Sequence, residues 1–111
     1  MPNGDDPAMN ESADSVPNRK PDRFRISADW SERGFTCEHW TDPPGRCWEN
    51  FTHETDELIV VLQGQMEFEI EGVVYHPAPG EELRIPAHQR HSARNIGQST
   101  AHWLFGYLQE P

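Results

Sequence analysis

Two stretches of the chain set imidazole and carboxylate side chains at regular spacing between glycines. Residues 45–64 read Gly45-x5-Phe51-x-His53-x3-Glu57-x6-Gly64, and residues 80–95 read Gly80-x5-Pro86-x-His88-x2-His91-x3-Asn95. Neutral imidazoles and carboxylates are ligands that divalent transition metals take. Imidazole also titrates near neutrality, which suits acid–base work. A single His-x3-Glu carries no specificity. Two spaced strings in sequence, in a chain that otherwise reads as short strands and turns, carry far more.

The two strings resemble the signature motifs of the cupin superfamily, G-x5-H-x-H-x3,4-E-x6-G and G-x5-P-x-G-x2-H-x3-N. The match needs no insertion, and the fifteen residues between Gly64 and Gly80 are similar to the short connection of microbial cupins. Two positions depart from the pattern: Phe51 stands where the family has its first histidine, and His88 where the second motif has glycine. The resemblance therefore implies His53, Glu57 and His91 as the ligands of one divalent metal, with Phe51 contributing no donor atom.

Two imidazoles and one carboxylate suit iron, manganese, nickel, copper or zinc. Gathered on one side of the ion, they leave positions open for substrate, water or oxygen, as in non-haem iron(II) oxygenases. Ligand histidines need their second nitrogen held, and Asn95, Glu49 and Asp56 are the candidates. Glu57 directly precedes the apolar run Leu58–Leu62, where an ionised carboxylate is costly without a cation. The alternative is a barrel that has lost its metal with a ligand and kept the cavity.

Other residues belong to the same neighbourhood. His39 and His102 fall on strands that could line the cavity and fill the gap left by Phe51, and His88 could stand at the rim as an acid–base group. Trp40, Trp48, Phe51, Trp103, Phe105 and Tyr107 read mainly as core, some of them lining a pocket. Trp103, Phe105 and Tyr107 share one strand face. Phe51 in place of a ligand favours an organic ligand of hydrophobic or aromatic character. Arg84, Arg90 and Arg94 read as surface, one of them placed to pair with a carboxylate substrate at the rim.

Short strands must position these groups. Phe35–Trp40 stops at the turn Asp42-Pro43-Pro44-Gly45, and Cys47–His53 follows. Leu58–Leu62 reads as a strand covered on both faces. In Gln65–Glu71, Met66, Phe68 and Ile70 alternate with Glu67, Glu69 and Glu71, one core face against one acidic solvent face. Strands follow at Val73–His76, around Leu83 and Ile85, and at Thr100–Leu108, with a helical turn only at Ala28–Arg33. Frequent Gly and Pro turns indicate an antiparallel sandwich or barrel. The resemblance narrows this to an all-β double-stranded β-helix, or jelly-roll, barrel over residues 23–111. Residues 1–22 hold four prolines and almost no large apolar side chains, and read as a disordered tail.

A formal net charge of −10 with a single lysine, Lys20, argues against nucleic acid and anionic membranes as partners. No apolar run spans a bilayer and no secretory signal opens the chain, so a cytoplasmic protein is expected, with Cys37 and Cys47 as reduced thiols. The resemblance implies a homodimer. The leading functional expectation is a metal-dependent enzyme, an oxygenase (dioxygenase) or isomerase, acting on a small organic molecule. A non-catalytic ligand-binding or sensing domain is the alternative, and a purely structural module the third.

Overall fold

The computed structural model describes residues 20–109. Most of the expected tail at residues 1–22 therefore lies outside the described residues. Its last residue, Asp22, is already engaged: its carboxylate accepts from the Phe24 and Arg25 amides at 3.0 and 3.3 Å and caps helix α1 (Arg23–Glu32). The ten-residue helix replaces the single helical turn expected at Ala28–Arg33. Only Ile26 and Trp30, one turn apart, are buried, too narrow an apolar stripe to be read as helical periodicity. The N-cap and that one pair suffice once a sheet lies beneath them.

Eight strands follow: β1 (Glu38–Asp42), β2 (Cys47–Phe51), β3 (Glu57–Gln63), β4 (Met66–Ile70), β5 (Val73–Tyr75), β6 (Glu82–Ile85), β7 (His91–Asn95) and β8 (Ala101–Tyr107). They form two antiparallel four-stranded sheets, ordered β1-β8-β3-β6 and β2-β7-β4-β5. The inner core draws on both: Ile59, Val61, Ile85, Ala101 and Trp103 from the first sheet, and Met66, Phe68, Ile70 and Ala93 from the second. This is the antiparallel jelly-roll barrel expected from the sequence.

Strand β3 shows why its apolar run is continuous. Ile59 and Val61 face the inner core, whereas Leu58 and Val60 pack outward with Ile26, Trp30, Phe35 and Leu104 beneath the helix. Glu82 ties that helix to β6, accepting from Trp30 Nε1 at 3.2 Å and from both terminal nitrogens of Arg33 at 2.9 and 2.8 Å. Strand β4 keeps the alternation read from its sequence, with Met66, Phe68 and Ile70 buried. Glu67 and Glu69 are only half-exposed because Arg94 lies across them, bonded to both and to Glu49. At Gly64, the last residue of the first motif, φ is 99° and an added Cβ would fall 2.9 Å from the Ala101 backbone. Only glycine fits there. No helix among the described residues is long and apolar enough to cross a membrane.

Candidate metal centre and cavity

The two sheets deliver the site from opposite sides. Glu57 opens β3, paired with Ile85 on one flank and Tyr107 on the other. His91 opens β7 in the facing sheet, opposite Phe51 and Ile70. His53 comes from the connection between β2 and β3. The His88 amide holds that connection by donating to the His53 carbonyl at 2.7 Å. Asp56 also ties it to the second motif, accepting from Arg84 at 3.0 and 2.7 Å and from the Ala87 amide at 2.8 Å.

One donor atom from each of His53, Glu57 and His91 lies within 4.8 Å of the others. Glu57 Oε1 is 3.5 Å from His53 Nε2 and 3.3 Å from His91 Nε2. Oε1 is buried and has no hydrogen-bond partner among the described residues. On the far side of the His91 ring, Nδ1 lies 3.0 Å from the Gln89 carbonyl. A carbonyl only accepts, so Nδ1 carries the proton, and in the neutral ring Nε2 turns a lone pair toward Oε1. Two acceptors held face to face in a buried place call for a positive charge between them, a proton or a metal ion.

The titration of the groups follows this geometry. Burial opposes the charged form of His91, but its contact with Glu57 and the bond to Gln89 outweigh it and raise its pKa. Burial lowers that of His53, with His91 adding to the effect and Glu57 working against it. Burial and then the nearby Glu57 and Glu38 push Tyr107 up to about 12, which keeps its hydroxyl protonated 3.3 Å from His53 Nε2.

The group sits at one end of a cavity of about 240 Å³. Its apolar walls include Trp40, Trp48, Phe51, Trp103 and Phe105. Phe51 contributes a ring, its centroid 6.5 Å from that of His91. A bulge in β2 between Trp48 and Phe51, with Asn50 at φ 62° and its amide bonded to Ser92 Oγ, sets that ring's direction.

Several expected residues lie elsewhere. His39 and His102 stack on each other, centroids 5.6 Å apart, outside the cavity lining, because the register of β1 on β8 gives the inner face to Trp40 and Trp103. His88 is exposed at φ 70°, a left-handed position that accounts for the family glycine there. Its side chain does not line the cavity. Asn95 is buried away from the histidines, donating to the Asp42 and Ser99 carbonyls at 3.1 and 3.0 Å. Glu49 is taken by Arg94 and Asp56 by Arg84, so Gln89 does for His91 what these three were expected to do. Among the described residues no arginine lines the cavity. Cys37 and Cys47 are free thiols. Tyr107, expected among the core or pocket aromatics, lines the cavity and adds a hydroxyl beside His53 that its strand face did not announce. Nothing in the linear sequence marks Asp42 as more than a turn residue.

The comparisons with known proteins agree with this architecture. A family model described as "Cupin domain" matches residues 38–107. A protein of Streptomyces cyaneus, "Polyketide synthase CurC", is 29% identical over 63 residues, 57% of this chain and 41% of that protein. Among solved structures, the cupin domain of an XRE-family transcriptional regulator from Enterobacter cloacae aligns at TM-score 0.64 and 25% identity, over 74% of this chain and 90% of that one. A predicted oxalate decarboxylase from Thermotoga maritima aligns at TM-score 0.63 and 20% identity, over 76% and 75% of the two chains.

Proposed function

The chain belongs to the cupin domain family, and from that premise we propose that it is a metal-dependent enzyme acting on a small organic molecule. His53, Glu57 and His91 would hold one divalent transition metal. The observation that carries this reading is the buried, unpartnered Glu57 Oε1 between two histidine Nε2 atoms. A carboxylate so placed calls for a positive charge, and a divalent ion would meet Oε1 and both imidazoles at once.

Bound there, a divalent ion would supply a Lewis acid with open positions for a substrate oxygen or for water, which fits oxygenase or isomerase chemistry. The chain's own residues do the rest. Gln89 fixes the His91 ring so that Nε2 faces the centre, and Tyr107 presents a protonated hydroxyl beside His53. The aromatic walls keep water from a bound molecule and leave space for an apolar body. The relatives include an enzyme of polyketide synthesis and a domain of a transcriptional regulator. The non-catalytic alternative draws support from Phe51, which gives up a donor and adds apolar wall. A cytoplasmic location and a homodimer remain part of the proposal.

Elemental analysis of protein purified without chelator tests the reading. We expect up to one iron, manganese, nickel, copper or zinc per chain in the wild type, and none in His91→Ala or Glu57→Ala. Unchanged metal content in both variants would refute it. Turnover that disappears on stripping the metal and returns on reloading separates enzyme from binder.

A further inference from the structure

Trp40, Trp48 and Trp103 reach the cavity from β1, β2 and β8, across both sheets. All three turn their indole N–H groups onto one carboxylate, Asp42, which is fully buried. Trp40 and Trp48 donate to Oδ1 at 3.3 and 2.9 Å, and Trp103 donates to Oδ2 at 2.9 Å. The Asp42 carbonyl accepts from Asn95 Nδ2 at 3.1 Å, which fixes the residue from behind. Asp42 itself does not line the cavity; the rings that it holds do.

The three donors of this aromatic wall are therefore spent on Asp42. The polar side chains that line the cavity, His53, Glu57, His91 and Tyr107, are in mutual contact at one end, and among the described residues neither lysine nor arginine joins them. The cavity is polar at one end only.

We infer that Asp42 is a positioning residue that sets ligand specificity, and that the ligand is a flat apolar molecule with a single oxygen head. The head meets the His53–Glu57–His91 group, and the ring body lies along the tryptophans without hydrogen-bonding groups of its own. This rests on reading the cavity as a ligand site and narrows the class of molecule it takes. A second hydroxyl on the ring body would lose its hydration and find neither donor nor acceptor along that wall.

Calorimetric titration of the full-length protein with 2-naphthol and with 2,7-dihydroxynaphthalene tests the inference, since the two differ only by that hydroxyl. The wild type is expected to bind 2-naphthol about 10- to 100-fold more tightly. In Asp42→Asn one acceptor oxygen is replaced by an amide nitrogen that can only donate. At least one indole N–H then loses its partner, and its ring, no longer held, can turn that N–H toward the ligand, so the preference should shrink to a few-fold. In nuclear magnetic resonance spectra an indole N–H signal should lose its exchange protection, while that of Trp30, bonded to Glu82, stays. Equal affinity in the wild type overturns the inference, as does an unchanged preference in Asp42→Asn with a shifted indole signal. Should Asp42→Asn fail to fold, the wild-type ratio decides alone. Binding of neither compound also overturns it, and a zinc titration of the same sample then shows separately whether the metal reading stands.

Discussion

At the scale of single residues, the site turns on what Phe51 and Glu57 were asked to become. The spacing of both motifs was legible in the sequence, and so was the burial of Glu57 ahead of an apolar strand. What spacing could not show was how the histidines are held. Gln89 serves through its backbone carbonyl, and every residue has one, so no side-chain type marks it. Asp42 likewise becomes a hub only when three strands bring indoles to it. Phe51 offers a direct test of the lost ligand. Its ring stands beside His91, so Phe51→His should add a fourth donor and tighten metal binding, measured by competition with a chromogenic chelator. Weaker binding would mean that the new imidazole points elsewhere.

At the scale of elements, the strands are legible in the sequence and the helix is not. Alternation in β4 and the two-sided run of β3 follow from a pleat whose faces meet different surroundings. Helix α1 has two buried residues in ten and owes its place to partners far along the chain. Glu82 is the chief one. Burial opposes its charge, yet Arg33 and the Trp30 N–H outweigh that and hold its pKa below the ordinary 4.5. A depressed carboxylate contributes stability above its unfolded pKa and loses it as pH falls through the folded value. Denaturant midpoints should accordingly fall as the solution is acidified below pH 4.5, and Glu82→Gln should flatten that decline. At neutral pH the variant should cost about 1 kcal/mol, since both partners are roughly one-third exposed. A profile as steep as the wild type's would place the acid sensitivity elsewhere. Within β4, Phe68 is wholly buried, so Phe68→Ala should cost about 3–5 kcal/mol in the same assay. Glu69→Ala, at one end of a shared ion pair with Arg94, should cost no more than about 1 kcal/mol. Equal costs would contradict the register.

At the scale of the whole molecule, the sequence foretold a barrel, and two sheets closing on one core deliver it. Which histidines share an inner face is decided by register between strands distant in sequence. That is why His39 and His102, correctly placed on strands, fall outside the cavity. The inner and outer cores both close within residues 20–109. Removal of residues 1–19, sparing the Asp22 cap, should therefore shift Tm by less than about 5 °C. A larger drop would show that those residues contribute to the fold.

Calorimetric titration of chelator-stripped protein with a divalent transition metal tests most directly whether Glu57 and the two histidines form one metal site. The wild type should take up one equivalent per chain and release protons on binding, because the ion takes the place of a proton that contact with Glu57 favours on His91. Glu57→Gln, which keeps the shape and removes the charge, should abolish saturable binding. One equivalent bound with the same affinity by both proteins would contradict the account.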